Sequence, residues 1–363
     1  MRRCLRRCAI SINQYKIDIY INKIFQHPDG QRRHGHWAGL AQYTGRVPAE
    51  GIHLSALDDL IAWGPAPITS QLAAGARREA ARLGSVLVDL PYFERFAQAV
   101  VNYLIGRPQQ TSRWGDTFHH RQPIAIGTWL MQAGCQLAQR AHSPIERERG
   151  ELIIAFALGY IAHAAVDRSL HPLVNAMARA RSQHSGRTVD QEHHEVEKYQ
   201  SILFHEERFG IDMMGRRFLF NYLDIDFSLL CGRRGASQGG PLWPTLCDAL
   251  MHTHGESPTL RDFRRWTRSF DDYCLILTSP LGATVVPDHE KLWVRPWVFD
   301  AVCFPLRYRH AIQQAQRWAD ALLAWGRDGV FDTSAERALA AIIPEGSIDP
   351  SPESSTTSAA GDT

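Results

Sequence analysis

Residues 146–172 read ERERGELIIAFALGYIAHAAVDRSLHP, and the reading of this stretch decides the fold. A charged start gives way to an apolar run from Leu152 to Val166, interrupted only by His163, which reads as a helix buried at the centre of a bundle. Ser143 and Glu146 suit its N-terminus, one as a cap and the other as an acidic residue in the first turn. Into the apolar face the sequence then sets His163, Asp167 and His171, each four residues after the last. Pro172 follows at once, so the sequence predicts that the helix ends or kinks near His171.

Side chains four apart share one face of a helix, so His163 and Asp167 can grip one ion. His171 lies about 12 Å along the axis from His163, too far to reach the same ion along a straight helix. The spacing therefore implies two ions with Asp167 between them. The next helical stretch, DQEHHEVEKYQSILFHEERFG (190–210), carries a second pair of this kind, His193 and Glu197, while His194 and Glu195 fall elsewhere on the wheel. Imidazole and carboxylate donors without cysteine suit zinc in a hydrolytic site. Taken singly, an HxxxD pair is more commonly a hydrogen-bonded core contact and an HxxxE pair a solvated face. The run HxxxDxxxHP followed by HxxxE is far harder to produce by chance.

The remaining text is helical in character. LSALDDLIAWG (54–64), SQLAAGARREAARLGSVLVDL (70–90), YFERFAQAVVNYLIG (92–106), AIGTWLMQAGCQLAQRAHS (125–143), LWPTLCDALMHTH (242–254), TLRDFRRWTRSFDDYCLILTS (259–279) and PLRYRHAIQQAQRWADALLAWG (305–326) each read as one helix, and strand-like alternation is nearly absent. The class is all-α, a multi-helix bundle with a metal site between core helices. Residues 1–50 read as an irregular extension, 51–345 as a single helical domain and 346–363 as a polar, disordered tail.

With 363 residues, 44% hydrophobic, the chain can bury a large core. Its formal net charge of +2 gives no basis for bulk electrostatic binding to nucleic acid or to an anionic membrane. Histidine is abundant at 17 copies, nine of them between His119 and His205. Seven scattered cysteines with no CxxC pair argue against a disulfide framework and a cysteine zinc site. The basic N-terminus lacks a continuous apolar core, so the expectation is a soluble, cytoplasmic protein with at most transient membrane-surface contact.

The motifs Gly159-His163-Asp167-His171-Pro172 and His193 with Glu197 resemble those of the zinc-dependent phospholipase C family, and more broadly of the phospholipase C/P1 nuclease fold. The resemblance covers roughly residues 51–210. It implies three further ligands upstream: His53 at the opening of the first long helix, Asp89 after LGSVLV, and His119 in a His-rich loop, WGDTFHH, with His120 as its competitor. It implies two or three zinc ions and a phospholipid or other phosphodiester substrate. Asp89 is then a ligand or the general base, and Asp167 bridges metals. Family members that hold a third ion through an N-terminal tryptophan differ from this chain, where Trp37 is the nearest tryptophan before His53. Tyr92, Phe93 and Trp114 are candidates for an aromatic box around a choline-like headgroup, although aromatics at helical spacing are more commonly core. His252 and His254 form an HxH expected in a loop, and His34 and His36 are expected at the surface. A nuclease of the same fold and a non-catalytic, metal-stabilised helical protein are the alternatives.

Overall fold

The computed structural model describes residues 49–348 apart from 74, 95, 97–111, 211–220, 234–235 and 279–287. In chain order the helices are α1 (Ala49–Trp63), α2 (Ala66–Leu72), α3 (Gly75–Leu87), α4 (Arg113–His120), α5 (Pro123–Arg140), α6 (Pro144–Ser185), α7 (Val189–Phe209), α8 (Ser228–Cys231), α9 (Trp243–His254), α10 (Leu260–Thr278), α11 (Asp288–Arg295), α12 (Phe304–Asp328) and α13 (Thr333–Ile342). A 3₁₀ turn spans Leu90–Phe93 and a π turn Pro296–Asp300. No strand occurs among the described residues, so the chain is all-α, as its periodicity predicts.

The axis of the fold is α6. Ser143 caps it, accepting a hydrogen bond from the Glu146 amide, and Pro144 occupies the first turn. From Leu152 to Asp167 every residue is buried, because α1, α3, α5, α7 and α12 all pack on it. By length and composition α6 could cross a membrane, yet 94% of its most apolar 18-residue stretch is buried inside the protein. Its apolar surface is consumed by neighbouring helices. Two glycines permit the closest of these contacts: a Cβ on Gly159 would stand 2.0 Å from the Ala81 carbonyl oxygen, and one on Gly84 would stand 2.2 Å from that of Phe156. The backbones of α3 and α6 therefore touch directly, which brings the end of α3 beside His163.

The structure departs from the sequence reading in several places. α6 does not end at His171. It runs 42 residues to Ser185, with Pro172 inside it and Gly186 stopping it in the left-handed conformation at φ 73°. Proline deletes one backbone donor. Tertiary packing carries the helix across that gap, since Val174, Asn175, Met177 and Ala178 are all buried and α7 reaches back to this segment through Gln200 and His193. The stretch 70–90 is two helices, broken between Leu72 and Gly75, and α3 stops at Leu87 so that Asp89 opens the 3₁₀ turn. WGDTFHH is helical rather than a loop: Ser112 caps α4 by accepting from the Gly115 amide. His252 and His254 lie in the last turn of α9. Cys135, Cys231 and Cys247 are free thiols. The first 48 residues, most of 92–106, and the tail from 349 lie outside the described residues; within the segment read as tail, Ile348 is fully buried.

Candidate metal centre

Five predicted residues from four different elements meet on one side of α6. His53 faces inward from the first turns of α1, Asp89 from the turn after α3, His119 from the last turn of α4, and His163 and Asp167 from the middle of α6. Asp167 is the hub. Its Oδ1 lies 3.1 Å from His53 Nε2 and 3.5 Å from His171 Nε2; its Oδ2 lies 2.9 Å from His163 Nε2 and 3.7 Å from His119 Nε2. Asp89 closes the far side, with Oδ1 3.3 Å from His119 Nε2 and Oδ2 3.9 Å from His53 Nε2. Four donors at 2.0–2.1 Å from one zinc ion lie roughly 3.3 Å from one another, the spacing seen here.

The second group is built from the next turn of α6 and from α7. Glu197 Oε1 is 3.1 Å from His171 Nε2 and 3.2 Å from His193 Nε2. Asp167 Oδ1 reaches toward this group through His171. The ligand atoms of His53, Asp89 and His163, of His119, His163 and Asp167, and of His171, His193 and Glu197 lie within 4.8 Å of one another in each trio, so these buried groups can hold a metal ion. Asp167 therefore stands between two groups, as the four-residue spacing anticipates.

The histidines are oriented for the same purpose. His163 Nδ1 donates to the Ser85 carbonyl at 2.8 Å, His119 Nδ1 to the Gly115 carbonyl at 2.8 Å, and His193 Nδ1 to Asn175 Oδ1 at 2.8 Å. A carbonyl only accepts, so Nδ1 carries the proton in each ring and the Nε2 lone pair faces the carboxylates. Metal-ligating histidines are commonly fixed in this way by an acceptor behind the ring. His53 is held instead by stacking on His163, with ring centroids 3.8 Å apart and planes 25° apart.

These atoms do not satisfy one another. His163 Nε2 and Asp167 Oδ2 are 2.9 Å apart, yet neither makes a hydrogen bond of acceptable geometry, and Asp89 Oδ2 is likewise buried without one. Leaving such groups buried and unpaired costs a few kcal/mol each, up to about 3. Their ligand atoms lie close enough together to hold a cation.

The charges agree. Burial pushes the Asp167 and Glu197 carboxyls up, but the histidines facing them outweigh it and hold both well below the usual carboxylate range. Asp89 is lowered for the same reason, His163 being the strongest opposing influence. Without metal, the compensating charge falls on His163: burial drives its pKa down, but Asp167 and Asp89 raise it to about 9. His53, buried and stacked on His163, is pushed below its ordinary value.

Of the two neighbouring histidines, the structure selects His119, which is 3% exposed; His120 faces outward and meets Ser347 Oγ at 2.8 Å. Phe93 belongs to the core, edge-on to Phe270 and against Tyr273. Trp114 is half-buried against that core. Tyr92 alone of the three aromatics borders the ligands, its hydroxyl 3.3 Å from His119 Nδ1. His252 tilts against Trp129, and neither it nor His254 joins a ligand group among the described residues.

Asn175, which stands behind the His193 ring, is a position that the sequence reading missed. It continues the series 163, 167, 171 by one further step of four, and Pro172 concealed it by suggesting that the helix had ended. Asn175→Ala is expected to weaken metal binding at the His171–His193–Glu197 group by about 10–100-fold while sparing the other group. Stepwise zinc titration followed by calorimetry reads the two affinities separately.

No family model matches the chain, and neither does any curated protein or solved structure.

Proposed function

We propose that this chain is a zinc-dependent phosphodiester hydrolase of phospholipase C type, with the helix arrangement of the phospholipase C/P1 nuclease fold and two or three ions. The observation that carries the reading is Asp167, one buried carboxylate whose two oxygens face four histidines without hydrogen-bonding to them all. His53, Asp89, His119, His163 and Asp167 are the donors of one metal group, and His171, His193 and Glu197, with Asp167 Oδ1, those of the other.

Zinc, when bound, supplies positive charge against the phosphoryl oxygens and lowers the pKa of water toward 7. The chain's own part is to hold and place. The Nδ1 bonds to Ser85, Gly115 and Asn175 fix three rings, and burial excludes competing solvent. Asp89 Oδ2, ionised and without a hydrogen bond, is placed to take the proton of the attacking water. Substrate approaches over the second group, the more open edge: the Glu197 side chain is 17% exposed, whereas that of His163 is 0%. A phospholipid or related phosphodiester fits a chain with little net charge better than a polynucleotide does.

Purified protein analysed for metal and then assayed on phosphatidylcholine and on bis-nitrophenyl phosphate tests the reading. At least one zinc per chain with turnover supports it; less than one zinc with no hydrolysis sinks it. One observation favours a second reading, a metal that only braces the helices: four of the five side chains in the first group are at most 4% exposed. Under that reading chelation unfolds the protein although nothing was hydrolysed before chelation.

A further inference from the structure

Beyond the ligands, the chain that follows α13 crosses the end of the metal centre and ties three helices together. The orphan carbonyl of His119, in the last turn of α4, accepts the Ile348 amide at 3.0 Å and the Ser347 hydroxyl at 3.4 Å. The exposed carbonyls of a helix C-terminus need such partners, and here they come from 228 and 229 residues away in sequence. One step earlier, Glu345 Oε1 accepts the Ile124 amide at 3.1 Å. That amide belongs to the first turn of α5, whose own N-cap, Gln122, supplies no side-chain bond. A carboxylate there meets both an unsatisfied N–H and the positive end of the helix. The third tie is Arg168, next to Asp167 on α6, which donates to the carbonyls of Pro344 and Glu345.

The segment is anchored at both ends by buried apolar side chains, Ile343 at 2% and Ile348 at 0% exposure. Between them Gly346 adopts φ 134°, a conformation that side chains other than glycine's rarely tolerate, and a Cβ there would come within 3.3 Å of Arg168 Nη2. Backbone, cap and glycine thus converge on one job. We propose that residues Pro344–Ile348 form a positioning strap, which seats α4 so that His119 Nε2 stays aimed at Asp89 and Asp167. The consequence for metal rests on the functional reading above; the mechanical part does not. α4 has only eight residues and is joined to α5 by two, so it has little hold of its own on its orientation. Its N-terminal part is seated by the Arg113–Glu256 ion pair, by Tyr92 against Gly115 and by the buried Phe118, and its C-terminal end by the strap.

Two variants of the full protein loosen the strap in different ways: deletion of residues 344–363, and Gly346→Val, which keeps every side-chain partner. Deletion of 349–363, which leaves all the named contacts, is the control. Amide hydrogen exchange and zinc titration are read on each, with far-UV circular dichroism to show that the helices persist. In both loosened forms the amides of Thr117–Arg121 are expected to exchange about tenfold faster or more, while those of Ile153–Val166 keep their rates. Zinc affinity at the His119 group falls by a similar factor, the His171–His193–Glu197 group is unchanged, and the control matches the full chain. Unchanged exchange in α4, or a uniform acceleration across all helices, overturns the proposal. If no form binds zinc, the metal reading falls while the α4 exchange rates still decide the strap.

Discussion

Asp167→Asn is expected to remove tight metal binding while leaving the helical fold in place. The amide keeps the shape of the side chain but not its charge, and it presents one acceptor where the carboxylate presents two. Four imidazoles lie within 2.9–3.7 Å of the Asp167 oxygens, so the loss is felt in both groups at once. A drop of at least about a hundredfold in zinc affinity, roughly 2.8 kcal/mol, is the expected size. The substitution also withdraws the foremost charge that raises the His163 pKa, so in the metal-free protein that pKa moves down from about 9. Zinc titration checks the first effect and imidazole proton shifts the second. If the variant binds zinc as the parent does, Asp167 is not the hub.

Metal removal is expected to uncover a pH dependence of stability that bound metal cancels. In the metal-free protein His163 has a folded pKa of about 9 against an ordinary 6.5, raised because Asp167 and Asp89 outweigh burial. Its contribution to stability is fully present below pH 6.5 and is lost as pH rises through 9, amounting to roughly 3 kcal/mol over that window. With zinc that fall is offset, because neither the metal-bound ring nor the unfolded one holds the second proton in this window. His163 donates from Nδ1 to Ser85, so the proton that must leave to free a ligand lone pair is the one on Nε2. Below about pH 9 binding expels that proton, and affinity climbs about tenfold per pH unit until it flattens there. At a thousandfold excess of zinc over its Kd the metal adds about 4 kcal/mol. Thermal melts at pH 6.5 and 9, with and without chelator, read a falling slope without metal and a flat one with it, and calorimetry in two buffers counts the proton. Parallel slopes, or no proton released, contradict this account.

Much of the centre was legible because it is periodic. His163, Asp167 and His171 recur at the repeat that places side chains on one helical face, and an apolar run around them fixes that face inward. His193 and Glu197 repeat the pattern on α7. His53, Asp89 and His119 have no such local signal; they came from a resemblance, and distant packing is what gathers them. The close contact of Gly159 with α3 sets Ser85 and Asp89 beside His163, a relation between residues nearly eighty apart that no short window contains. Pro172 misled because the local rule against proline is real but small beside the burial of the next turn. α4 escaped notice because its cap, Ser112, precedes a short polar segment with little apolar pattern, and because part of its support arrives from Ser347 and Ile348.

The most direct test of the central claim is anomalous diffraction at the zinc edge from crystals grown with zinc. The account predicts separate peaks on the two sides of Asp167, one within bonding distance of His163 Nε2 and another within bonding distance of His171, His193 and Glu197. Crystals that diffract well, hold zinc elsewhere and show no peak against Asp167 would contradict it.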